Sequence, residues 1–229
     1  MIPGVQIPVI GLAGPTGAGK STAARMLADL GCAVLDGDAL ARELTVPGSP
    51  VLARLAARFG EDILCKGGSL DRALLAERAF ASEETRRDLN SITHPPLAAL
   101  ALARAKALQG ARAIVLDAAA LLESELARTC DFVILLTAPE ALRLARILNR
   151  GGVSEPAARQ RMAAQARMDF TPPAGVEYTV IDTAQGEAVL RDAVEKAFEA
   201  AVSGAAGGAV GAGDCAEHGG HGAPPPLPP

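Results

Sequence analysis

The densest chemistry in the chain lies near its start, in Gly14-Pro15-Thr16-Gly17-Ala18-Gly19-Lys20-Ser21, a complete G-x-x-x-x-G-K-[ST] run. Glycines at these places let backbone N–H groups turn toward one point, which suits a phosphate. A helix that starts immediately afterwards adds the positive end of its dipole. In such a loop Gly17, Ala18, Gly19, Lys20, Ser21 and Thr22 form the nucleotide-binding stretch. Lys20 bridges the β- and γ-phosphates and the Ser21 hydroxyl ligates Mg²⁺. The expected cofactors are therefore ATP and Mg²⁺.

Loops of this kind serve kinases, switches and motors alike, so the second reactant must be read from other residues. Asp36-Gly37-Asp38 stands at the end of a short apolar run, and in a parallel sheet the carboxyl ends of neighbouring strands open onto one ligand crevice. Two carboxylates there can hold Mg²⁺ through water or take a proton from an attacking hydroxyl. The alternative is that they are turn residues capping a helix from Ala39. Asp117 ends another apolar run, a place from which enzymes with this loop reach the metal. Arg143, Arg146 and Arg150 recur on one predicted helix, and Arg159, Arg161 and Arg167 follow. Arginines so placed can neutralise charge developing on a transferred phosphoryl group, although roughly half of such a set belongs on ordinary solvated helix faces.

These groups need a frame, and the pattern predicts one: short β-rich runs alternate with longer helical ones, as in a parallel sheet covered on both faces. Strands are expected at Ile7–Ala13, Ala33–Leu35, Ala113–Leu116, Phe132–Leu136 and Tyr178–Ile181. A helix is expected at Gly19–Leu30, ending at Gly31, and the stretch from Asp38 to about Gln109 reads as mostly helical. Within it Ser82 is a candidate N-cap, and Pro95-Pro96 is expected to open a further helix. Pro139 starts the helix that carries Arg143 to Arg150. The helical pattern breaks around Arg150-Gly151-Gly152-Val153-Ser154 and resumes after Pro156, the place for a lid. A last helix runs from Glu187 to about Val202.

Composition narrows the function classes. With 22 Lys+Arg against 26 Asp+Glu the formal charge is −4, so there is no general basic field to invite nucleic acid. The four cysteines are far apart, with no CxxC pair, and are expected to be free thiols of a reducing compartment. The first residues lack a charged start and read as a strand, not a signal peptide, and no apolar run reaches the length of a membrane span. The expectation is a cytoplasmic protein, monomeric or a small homo-oligomer, without nucleic-acid or membrane partners. Residues 203–229 are so rich in Gly, Ala and Pro that a disordered tail is expected. His218 and His221 with Cys215 offer only three metal ligands and no preformed geometry there.

Several stretches together resemble one family. The glycine loop, GCAVLDGDALARELTVPGSP, GSLDRALLAERAF, LNSITHP, DAAALLESEL and RQRMAAQ occur in the order and spacing of dephospho-coenzyme A kinases, over about residues 7 to 200. The resemblance implies an α/β, P-loop nucleoside-monophosphate-kinase-like three-layer fold on a parallel five-stranded sheet. The kinase domain would span 1–202, with a helical substrate-binding insertion at about 38–110 and a lid at about 150–167. It implies ATP-dependent phosphorylation of the 3′-hydroxyl of dephospho-coenzyme A, with Asp38 as the base. Lys20 and Arg146 would join Asp38 in catalysis, Arg150 would help to hold ATP, and Asp38, Arg72, His94, Asp117 and Arg161 would meet the substrate. Three places depart from the family pattern: Ala119 where a proline is usual, Gly151 where an aspartate is usual, and Thr183 where an asparagine is usual. The competing readings are a kinase for another small acceptor, such as a nucleotide or sugar, and a nucleotide-dependent switch. A lid and a crevice carboxylate serve to exclude water from transfer and favour an enzyme.

Overall fold

In a computed structural model, residues 7–108, 110–118, 121–166 and 168–207 are described. The frame is five strands: β1 (Val9–Ala13), β2 (Ala33–Asp36), β3 (Ile114–Asp117), β4 (Phe132–Thr137) and β5 (Glu177–Asp182). They lie in the order β2-β3-β1-β4-β5, every pair parallel. Parallel strands need crossovers, and the chain supplies helices for them: α1 (Lys20–Asp29) between β1 and β2, and α2 (Gly37–Leu44), α3 (Pro50–Phe59), α4 (Arg72–Ala79) and α5 (Glu83–Ala107) between β2 and β3. α6 (Glu140–Asn149) and α7 (Glu155–Gln165) join β4 to β5, and α8 (Glu187–Gly207) follows β5.

Alternation along β1 sorts its residues between the two faces. Ile10 and Leu12 enter the core beneath α1 and α8, with Leu27, Val194 and Phe198. Val9 and Ala13 enter the opposite core, with Ala101 and Ala105 of α5, Leu121 and Leu126. The helices between β2 and β3 build a third core of their own from Val51, Leu55, Phe59, Ile63, Leu75 and Ile92. A fourth, small cluster of Ile147, Ala158 and Met162 packs α7 on α6.

The structure corrects two expectations. Pro95 and Pro96 do not open a helix: α5 is one 25-residue helix that runs through both. Ser82 caps it, its Oγ accepting from Thr85 N at 3.1 Å while Thr85 Oγ1 accepts from Ser82 N at 3.1 Å. The two prolines leave the Ser91 and Ile92 carbonyls without their helical donors, at a cost of about 3 kcal/mol or more for each helix-interior proline. Packing at both ends outweighs that, because Ile92 is held in the third core and Ala101 and Ala105 in the sheet core. The second correction is at α8, which continues past Val202 to Gly207. The remainder of the expected tail, with Cys215, His218 and His221, lies outside the described residues, as do Arg167 and Ala119.

Candidate active site

β1 ends at Ala13 and α1 begins at Lys20, so the six residues between them form the loop at the carboxyl edge of the central strand. Gly17 has φ 84°, and a Cβ there would lie 2.6 Å from the Arg143 carbonyl oxygen, so only glycine lets the loop press against α6. Ala18 N donates to Pro15 O at 3.1 Å, forming the turn. The N–H groups of Gly17, Gly19, Lys20 and Ser21 have no acceptor among the described residues. Four adjacent free donors at a helix N-terminus are the donor set that a phosphate satisfies.

Three side chains from distant parts of the chain hold this loop. Thr16 N donates to Gln165 Oε1 at 2.7 Å. Arg146 Nη1 donates to Gly17 O at 3.3 Å and to Thr183 Oγ1 at 2.7 Å, and its Nη2 donates to Thr183 O at 2.7 Å. Thr183, 1% exposed, passes its own proton to Ala18 O at 2.9 Å. Of these three, only Arg146 was expected at the site. Gln165 was visible only as the last letter of RQRMAAQ, and Thr183 only as a departure from a pattern. Contacts across 149 and 165 residues leave no local signal.

The acidic side of the crevice comes from β2 and β3. Asp36 and Asp117 stand opposite one another in register, and Asp117 also pairs with Leu12 of β1. Asp36 is the N-cap of α2, its Oδ1 accepting from Asp38 N at 2.8 Å and Ala39 N at 3.0 Å. The two readings of Asp36-Gly37-Asp38 therefore separate: Asp36 caps, while Asp38 makes no side-chain hydrogen bond or ion pair among the described residues. Gly37 permits this, since a Cβ there would lie 2.5 Å from Ala118 Cβ.

Lys20 joins the basic and acidic sides. Its Nζ donates to Gly14 O at 2.7 Å. Burial holds its pKa below the usual lysine range, opposed by the charges of Asp117 and Asp38 and assisted by Arg150. Burial likewise pushes the Asp117 carboxyl up, against the pull of Lys20, with Asp36 and Asp38 adding to the rise. Lys20, Asp38, Asp117 and Arg150 thus share one electrostatic neighbourhood.

The other expected residues lie further out. Arg72 Nη2 donates to Thr45 Oγ1 at 2.8 Å, tying α4 to the end of α2. His94 is half-buried in the middle of α5, and Arg161 is exposed on α7. Arg159 pairs with Glu155 one turn away on the same helix, the solvated-face reading. Arg143 lies at the close approach to Gly17 and buries its Nε without a hydrogen-bond partner. Among the described residues, no group of three or more His, Cys, Asp or Glu side chains is placed to hold a metal ion. A protein oxygen that would suit Mg²⁺, an ion that prefers oxygen ligands and keeps several waters, is the Ser21 hydroxyl, exposed in the first turn of α1. Among the described residues no helix is long and apolar enough to cross a membrane.

Comparison with known proteins gives a consistent picture. A family model described as dephospho-CoA kinase matches residues 8–170. The dephospho-CoA kinase of Syntrophotalea carbinolica is 45% identical over 163 residues, covering 70% of this chain and 77% of the relative. That of Corynebacterium glutamicum is 42% identical over 162 residues, covering 70% and 81%. Among solved structures, TT1252 from Thermus thermophilus aligns with a TM-score of 0.65 at 28% identity, over 86% of this chain and 97% of that one. Thr183 and α8 lie beyond the stretch that the family model covers.

Proposed function

The chain belongs to the dephospho-CoA kinase family, and from that premise we propose that it transfers the γ-phosphoryl group of ATP to the 3′-hydroxyl of dephospho-coenzyme A, giving coenzyme A and ADP. The observation that carries this reading is the pairing of four free loop N–H groups with an uncommitted carboxylate, Asp38, across one crevice.

The loop amides receive the phosphates, and the Lys20 ammonium supplies positive charge where negative charge develops in transfer. Its burial strengthens that interaction, since a desolvated cation is screened less. A bound Mg²⁺, held by the Ser21 hydroxyl, would neutralise charge on the phosphate oxygens. Asp38 accepts a hydrogen bond from the ribose hydroxyl, aims its oxygen at the γ-phosphorus and takes the proton as the new O–P bond forms. The bond from the γ-phosphorus to the bridging oxygen breaks, and ADP leaves with that oxygen.

Around this centre we assign Arg146 to holding the Gly17 carbonyl and through it the loop. Arg150, whose field reaches Lys20, is the lid arginine best suited to steady the transferring group. Asp117 keeps negative charge beside Lys20. Arg72, His94 and Arg161 are assigned to the substrate side, on the helices between β2 and β3 and on α7. The purified chain, given ATP, Mg²⁺ and an acceptor panel of dephospho-coenzyme A, adenosine, AMP and simple sugars, tests the reading. Coenzyme A with an equal amount of ADP is expected only from dephospho-coenzyme A. ADP release that ignores the acceptor would replace it with a nucleotide switch, and transfer to a sugar would replace it with another kinase.

A further inference from the structure

We propose that Gln165 is a positioning residue of the phosphate loop, which it ties to the lid helix. The proposal rests on the reading of the loop as a triphosphate cradle. Gln165 is half-buried in the last turn of α7, and its Oε1 takes the Thr16 N–H at 2.7 Å. Thr16 sits inside the turn closed by Ala18 N and Pro15 O, one residue before the first free donor, Gly17. A turn with several glycines has many conformers of similar energy, and fixing one N–H outward selects among them. With its amide given to Gln165, Thr16 is set apart from the donors at Gly17, Gly19, Lys20 and Ser21, which are left for the ligand.

The same bond links the loop to the lid. α7 is packed on α6 by Ile147, Ala158 and Met162, and α6 already touches the loop at Gly17 through Arg143 and Arg146. Between α6 and α7, Gly151 and Gly152 have φ 74° and 77°, with no atom within 4 Å of where a Cβ would stand. Gly151 N donates to Leu148 O at 3.0 Å and Val153 packs on the same cluster, so α7 meets the loop through its packing on α6 and through the Gln165–Thr16 bond. Lid placement and loop shape therefore change together.

Two variants test this. Gln165→Met keeps the bulk and removes the acceptor; Gln165→Glu keeps an acceptor oxygen. Amide hydrogen exchange is read at Thr16 in the ligand-free protein, and MgATP and dephospho-coenzyme A dissociation constants are measured by calorimetry alongside the melting temperature. Thr16 exchange should be about 10-fold faster in Gln165→Met and stay slow in Gln165→Glu. MgATP should bind about 5-fold more weakly to Gln165→Met, the loss of one hydrogen bond's net contribution, with dephospho-coenzyme A affinity unchanged and the melting temperature lowered by no more than about 4 °C. Unchanged Thr16 exchange in Gln165→Met would overturn the proposal. So would faster exchange with MgATP affinity intact, or a melting temperature and both affinities that fall together. None of these readings needs turnover, so a chain inactive on dephospho-coenzyme A would defeat the proposed function and leave this test standing.

Discussion

The Nζ of Lys20 donates to the carbonyl oxygen of Gly14 at 2.7 Å, so the lysine spans the loop to which it belongs while facing the carboxylates of Asp117 and Asp38. Lys20→Ala removes the buried cation that stands between those carboxylates and the free amides. Phosphoryl transfer should fall by orders of magnitude while the circular dichroism spectrum is unchanged. Near-normal turnover would take the loop out of the mechanism.

Thr183 offers a structural test of the loop's other anchor. Thr183→Val keeps the shape but deprives Arg146 Nη1 of an acceptor and Ala18 O of a donor. Arg146 Nη1 keeps Gly17 O, and leaving the Ala18 carbonyl without its donor in a buried place costs about 1–3 kcal/mol. A thermal melt should fall by several degrees, at about 2–4 °C per kcal/mol for a chain of this size, and MgATP should bind more weakly. An unchanged melt would mean that the hydroxyl is not a brace.

Asp117 makes a signed prediction about pH. Its carboxyl is raised above the ordinary 3.8 in the folded protein, so the fold binds this proton more tightly than the unfolded chain does. The group therefore adds stability as pH falls from its raised value toward the ordinary one, and that contribution is lost as pH rises again. In Asp117→Asn this pH dependence should disappear from denaturation curves measured across that window.

The thiols should differ in reactivity by burial. Cys130 is buried with its pKa pushed up to about 12, and Cys32 is buried at about 11, whereas Cys65 is exposed. Iodoacetamide at pH 8 should label Cys65 and spare Cys32 and Cys130 until denaturant is added, because the thiolate is the nucleophile. Peptide mass spectrometry reads this directly, and early labelling of Cys130 would contradict the packing around it.

Much of the fold was legible because its signals are local. The loop run needs no partner to be recognised, and β1, β3 and β4 announce themselves as continuous apolar runs because both of their faces are covered. Pro95-Pro96 misled because the local rule for proline is outweighed by tertiary contacts of Ile92 on one side and Ala101 on the other. The tripeptide by itself does not tell Asp36 from Asp38, since it serves as a cap and as an active-site turn; the family resemblance points to Asp38 as the base. The hydrogen bonds of Asp36 Oδ1 identify Asp36 as the cap. Gln165 and Thr183 were illegible for a different reason: their chemistry lies wholly in contacts with a loop more than a hundred residues away.

The most direct measurement is the single-turnover rate of transfer from MgATP to dephospho-coenzyme A in Asp38→Asn, with Asp36→Asn as the control. Asn at 38 keeps the shape and removes the base, so the rate should fall by roughly 10²-fold or more with MgATP affinity little changed. Asn at 36 keeps an oxygen that can cap α2 and should stay near wild type. An Asp38→Asn enzyme that turns over normally while Asp36→Asn is inactive would contradict the account.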